Sequence, residues 1–79
     1  MKNHNVTIYS TDTCHYCVLA KNFFDKKGVT YTNKNVGADR NAAMEMMMKS
    51  GQMGVPVVEI DGQILVGFQP EAFEQLLTK

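Results

Sequence analysis

Val6-Thr7-Ile8-Tyr9-Ser10-Thr11-Asp12-Thr13-Cys14-His15-Tyr16-Cys17 is the stretch whose reading decides the fold. Val6 to Tyr9 is a β-rich tetrad bounded by polar residues, which predicts a first strand. Ser10 to Thr13 form a polar connection in which Asp12 and Thr13 are helix-capping types. A helix therefore follows to about Lys27, with Ala20, Phe23 and Phe24 at helical spacing and Gly28 as its stop. Cys14 and Cys17 are the only cysteines of the chain. One helical turn brings residues i and i+3 onto one face, where two thiols close a disulfide with little backbone movement. A structural staple is the poorer explanation, because a loop of about four residues stabilises by only about 2 kcal/mol in the chain-entropy model. The pair reads as a redox site.

Outward from this stretch, Tyr31 to Val36 forms a second, weaker strand, diluted by Asn33, Lys34 and Asn35 and so expected at a sheet edge. Asp39 caps a second helix that runs to about Ser50, with Gly51 at its end. Strand, helix, strand with short connections implies a parallel pair. Val57 to Ile60 and Gln63 to Val66 flank Asp61-Gly62, a strong hairpin signal, so the last two strands are antiparallel. Pro70 opens a final helix in which Ala72, Phe73, Leu76 and Leu77 recur at helical spacing. The order is β-α-β-α-β-β-α: an α/β fold with a four-stranded mixed sheet, helices on both faces, and the first strand central and doubly buried.

Length and charge narrow the function. Seventy-nine residues with 44% hydrophobic content make one small domain, 1–79, close to the lower size at which a core suffices without metal or several disulfides. Eight basic and eight acidic residues are scattered singly and cancel, so there is no electrostatic footprint for nucleic acid or an anionic membrane. Met1 to Asn5 has no apolar run behind it, and nowhere do about eighteen apolar residues follow one another. The expectation is a soluble cytoplasmic monomer. In a reducing compartment a solitary close cysteine pair is catalytic or metal-binding rather than architectural.

Cys14-His15-Tyr16-Cys17 after the first strand, Gly54-Val55-Pro56 before the third and Gly67-Phe68 after the fourth occur in the order seen in glutaredoxin-like members of the thioredoxin superfamily, which the chain resembles over nearly its whole length. The resemblance implies a thioredoxin-like (glutaredoxin) fold and thiol–disulfide exchange with disulfide-containing proteins. It also implies a cis Val55–Pro56 bond, although most such bonds in folded proteins are trans. In the family that proline faces the cysteine pair, so Val55 presents its main chain to a substrate strand, a form of strand addition indifferent to side chains. Tyr16, Gly67 and Phe68 complete the expected substrate surface.

The attacking species in such exchange is a thiolate. Unpaired N–H groups and the helix dipole at a helix start favour an anion at the N-terminal cysteine of the pair. Cys14 is accordingly the nucleophile, and Cys17, more buried and less acidic, resolves the mixed disulfide. His15 and Asp12 are tuning candidates. His15 stands where many glutaredoxins have proline, and Asp12 carries a charge that opposes the thiolate unless it is spent on capping.

The electron source is left divided. Glutathione-using members have a basic residue shortly before the first cysteine and a Gly-Gly-x-Asp-type turn before the last helix. Here Thr11 replaces the base, and Val66-Gly67-Phe68-Gln69-Pro70 has one glycine and no aspartate. Glutathione is the expected co-substrate, with no bound cofactor. The alternative is a redoxin recharged by NADPH-dependent thioredoxin reductase that supplies ribonucleotide reductase, which the Gly67-Phe68-Gln69-Pro70 stretch resembles. A metal or iron–sulfur module is weaker still, because its ligands would have to be Cys14, Cys17, His15 and His4, an awkward set for a closed site. A binding module without turnover is the remaining class. Met44, Met47 and Met48, with Ala43, share one helical face and are read as core, leaving Met46 and Met53 as contact residues.

Overall fold

The computed structural model describes residues 4–78; Met1 to Asn3, part of the opening stretch searched for an apolar run, and Lys79 lie outside them. The elements are β1 (Val6–Ser10), α1 (His15–Lys27), β2 (Thr32–Asn35), α2 (Arg40–Ser50), β3 (Val57–Ile60), β4 (Gln63–Val66) and α3 (Pro70–Leu77). The expected order is therefore present, and the sheet order is β2-β1-β3-β4. β1 pairs parallel with β2 and antiparallel with β3, which pairs antiparallel with β4. The diluted strand, β2, lies at an edge, where Asn33 and Lys34 discourage further pairing. At the Asp61-Gly62 turn both residues have positive φ, 50° and 89°, the conformation that matches strand twist in a two-residue hairpin.

Alternation along β1 divides the interior into two layers. Val6 and Ile8, with Val58 and Ile60 of β3, face α1 and α3, where Ala20, Phe24 and Phe73 meet them. The Phe24 and Phe73 rings lie 5.3 Å apart and Phe23 meets Phe73 edge-on at 5.6 Å. On the other face Tyr9 and Val57 pack against Met46 of α2. Full burial of each large apolar side chain contributes about 1.5–3 kcal/mol before entropy is counted.

The rotation of α2 corrects one expectation. Met46 and Ala42 are buried, whereas Met44, Met47 and Met48 are exposed, Met48 to 82%. The helix face is set by polar contacts that the apolar count ignores. Glu45 accepts from the Tyr9 hydroxyl at 2.7 Å and from Lys34 at 2.6 Å, and Lys49 Nζ donates to Glu59 at 2.7 Å. Residues 42, 45, 46 and 49 consequently face the sheet, and the methionine-rich side faces outward. Among the described residues no helix is long and apolar enough to cross a membrane.

Candidate active site

Strand register gathers the sequence motifs at one end of the sheet. Tyr9 of β1 lies opposite Val57 of β3, which lies opposite Val66 of β4. The Thr11–Cys14 connection, the Val55–Pro56 segment and Gly67 therefore emerge side by side. The Val55–Pro56 bond is cis, as the resemblance implied. Gly67 N–H donates to Pro56 C=O at 2.7 Å, tying the two segments together. Gly67 has φ 90°, so the space around it does not make a side chain tolerable there. Pro56 is fully buried and Val55 half-buried.

The cap of α1 is not the one expected. Asp12 and Thr13 do not cap the helix; Cys14 does, with φ −92° and ψ 113°, and its sulfur accepts from Cys17 N–H at 3.2 Å. A thiol sulfur is a weak acceptor and a thiolate a stronger one, and this main-chain N–H is the donor placed to meet the Cys14 sulfur. Asp12 is engaged elsewhere, accepting from Asn35 Nδ2 at 2.9 Å.

The two sulfurs differ sharply in environment. Cys14 is half-buried and Cys17 fully buried, and both are free thiols. Burial, and after it the Cys14 sulfur, push the Cys17 thiol from 9.0 up to about 11, partly opposed by the Thr11 main chain and Lys21. The chemistry this allows is sequential: one sulfur reachable from solvent and facing an N–H donor, the other held protonated one helical turn deeper.

The remaining candidates take distinct places. His15 is exposed and its ring meets Tyr16 edge-on at 5.8 Å. Tyr16 is 60% exposed, which removes it from the core. Phe68 is half-buried and its ring meets Phe73 at 6.1 Å, so it belongs at least in part to the α1–α3 layer. Gln69 precedes α3 without capping it; its Nε2 donates to Val66 C=O at 2.6 Å. His4 lies at the opposite end of the sheet, with Nδ1 2.5 Å from Asp61 and Nε2 2.9 Å from Leu77 C=O. The four ligands a metal module would need are thus not brought together, and among the described residues no group of three or more His, Cys, Asp and Glu side chains could hold a metal ion.

Sequence reasoning missed Asn35 and Gly37. Asn35 Oδ1 accepts from the N–H groups of Gly37 and Ala38, while its amide holds Asp12. The Asn-Val-Gly string carries a turn signal besides diluting the strand.

Comparison with known proteins agrees with this arrangement. The glutaredoxin family profile matches residues 6–65. A glutaredoxin-like 8.6 kDa protein of the rubredoxin operon in Clostridium pasteurianum is 39% identical over 74 residues, spanning 94% of this chain and 99% of its own. The crystal structure of the thioredoxin-like protein BC3987 superposes with TM-score 0.86 at 30% identity, over 91% of this chain and 99% of that one. NrdH-redoxin from Escherichia coli, a glutaredoxin-like protein with a thioredoxin-like activity profile, gives TM-score 0.80 at 26% identity, over 91% and 93% of the two chains. Profile, relatives, sheet order and paired thiols converge: the chain belongs to the glutaredoxin family, whose members are thiol–disulfide redox proteins.

Proposed function

We propose that this chain reduces protein disulfides and glutathione mixed disulfides by dithiol exchange, with Cys14 attacking and Cys17 resolving. The observation that carries the reading is the contrast across one helical turn. Cys14 is the more accessible sulfur and receives the Cys17 N–H, whereas the Cys17 thiol is buried and pushed up to about 11. In the first step the Cys14 thiolate attacks a substrate sulfur, the substrate S–S bond breaks, and the departing sulfur takes up a proton. Cys17 then gives up its proton and attacks the Cys14 sulfur, which releases the second substrate thiol and leaves a Cys14–Cys17 disulfide. Two electrons have passed to the substrate. Val55 beside cis Pro56 supplies main-chain contacts for the incoming strand, and Tyr16 an exposed ring. The protein acts as a cytoplasmic monomer with no bound cofactor, and two glutathione molecules return the electrons.

Brief alkylation of the reduced protein at neutral pH, mapped by mass spectrometry, tests the roles. Label is expected at Cys14 well before Cys17, and the reverse order rejects the assignment. In a Cys17→Ser variant, protein-disulfide reduction is lost; retained reduction of glutathione mixed disulfides would identify a monothiol route beside the dithiol one.

A second reading changes only the electron source, to thioredoxin reductase and NADPH with ribonucleotide reductase as recipient. Thr11 and Gln69 favour it. They stand where charged contacts to glutathione are expected, and the Gln69 amide is already bonded to Val66. The similarity to NrdH-redoxin points the same way. NADPH consumption coupled in turn to glutathione with glutathione reductase, and to thioredoxin reductase, decides between them with one disulfide substrate.

A further inference from the structure

The loop that carries Cys14 is fastened from outside the site. Asn35, the last residue of β2, donates through Nδ2 to Asp12 at 2.9 Å, and its Oδ1 accepts from Gly37 N–H at 2.9 Å and Ala38 N–H at 3.2 Å. Val36 N–H donates to Ser10 C=O at 2.9 Å, so the β1–β2 ladder runs to the very start of the loop. Gly37 closes the gap: a Cβ there would come within 3.2 Å of Asn35 Oδ1 and 3.6 Å of Thr11 Cγ2. One side chain thus links the connection before Cys14 to the β2–α2 turn. It also directs the Asp12 carboxylate to the edge strand and not to the first turn of α1, where it would oppose an anion on the Cys14 sulfur.

We propose that Asn35 is a positioning residue for thiol exchange: by holding the Asp12 carboxylate against the β2–α2 turn, it keeps a second negative charge off the attacking Cys14 sulfur. The inference rests on Cys14 being the attacking thiol. The Thr11 main chain, in the same loop, favours the Cys17 thiolate, so the segment that Asn35 secures also bears on the resolving sulfur.

The test is iodoacetamide labelling of the fully reduced protein, followed cysteine by cysteine from neutral pH to the pH at which the Cys14 rate levels off. Asn35→Ala is expected to slow Cys14 labelling about threefold at neutral pH, the scale of one exposed charge interaction, with variant and wild-type rates converging at high pH. Asn35→Asp keeps the acceptor for Gly37 and Ala38 but repels Asp12, and slows labelling at least as much. Adding Asp12→Asn to Asn35→Ala removes the released charge and restores the wild-type rate or exceeds it. A merely structural clamp would leave that double variant as slow as the single one, or slow labelling at every pH, and either result overturns the proposal, as does an unchanged neutral-pH rate in Asn35→Ala. Should Asn35→Ala fail to fold, Gly37→Ala, which displaces the Asn35 amide by tenths of an ångström, carries the same expectation. Label arriving first at Cys17 would instead overturn the assignment of the nucleophile.

Discussion

On one face of the sheet, α1 and α3 lay Phe24 and Phe73 against Val6, Ile8, Val58 and Ile60; on the other, α2 rests the single buried Met46 between Tyr9 and Val57 and fixes its rotation through Glu45 and Lys49. The first layer is held by area and shape. The second combines a small apolar contact with polar pins, because Tyr9 buries a hydroxyl that must be paired. A layer of the first kind resists changes in charge and suffers from lost volume, whereas the second responds to both. The cysteines follow this division, since Cys17 is buried on α1, the helix that also carries Phe24, and the loop before Cys14 is tied through Asp12 to the polar edge strand.

Removing volume from the aromatic layer has the largest expected effect. Phe73→Ala takes away a fully buried ring that touches Phe23, Phe24 and Phe68, and urea unfolding should show a loss of about 3–5 kcal/mol. A loss near 1 kcal/mol would mean that α3 is a loosely held cover and that the contrast between the faces is false. Met46→Ala tests the other layer and should cost about 2–5 kcal/mol, against less than about 0.5 kcal/mol for Met48→Ala on the outward side. Equal effects at the two positions would refute the observed rotation of α2.

The contrast also explains what could be read from the residues alone. Asp39, Gly51, Pro70 and Asp61-Gly62 act through their own backbones and nearest neighbours, so the ends of α2, the start of α3 and the hairpin followed from local chemistry. Phe24 and Phe73 were legible as interior because aromatic area dominates any competing preference. Met46 was not, since Met44, Met47 and Met48 beside it offer nearly equal apolar faces and the choice is made by Tyr9 and Glu59, residues outside the helix. At the site, the paired thiols and the Val55–Pro56 and Gly67 segments were visible as motifs. The capping role of Cys14 and the Asn35–Asp12 link depend on how a strand end and a loop meet, which spacing does not encode.

Alkaline titration sharpens the comparison, because α1 and β1 each bury one acidic proton, on Cys17 and on Tyr9. The Cys17 thiol is pushed from 9.0 to about 11 and the Tyr9 phenol from 10.0 to about 12, both chiefly by burial. A raised folded-state pKa gives stability that is complete below the unfolded value and is lost as pH climbs to the folded one. The reduced protein should therefore lose about 2–3 kcal/mol per group, Cys17 over roughly pH 9–11 and Tyr9 over roughly pH 10–12. Tyr9→Phe should abolish the upper part and cost about 0.5–1.5 kcal/mol at neutral pH for the lost bond to Glu45. An alkaline limb unchanged in Tyr9→Phe would show that the phenol is not confined as described.

The smallest expected effect lies on the acid side and belongs to the polar pins. Lys34 and then Tyr9 hold the Glu45 carboxyl below 4.5, and His4 followed by the Asn5 N–H holds Asp61 below 3.8. For a carboxylate with a depressed folded-state pKa, the stabilisation is present above the unfolded value and fades as pH falls toward the folded one. Stability should thus decline below about pH 4.5, gently, because both carboxylates are well exposed and solvent screens their partners. Glu45→Gln should flatten the Glu45 share of this decline while loosening α2, whereas Asp61→Asn should flatten the rest and leave α2 untouched, since Asp61 sits at the far hairpin. Hydrogen exchange of α2 amides on acidification separates the two. If α2 opens as readily in Glu45→Gln at neutral pH as the wild type does in acid, protonation of Glu45 is what releases the helix; if α2 protection ignores both pH and the substitution, the packing of Met46 alone sets the helix, and the distinction between the two faces is one of size and not of kind.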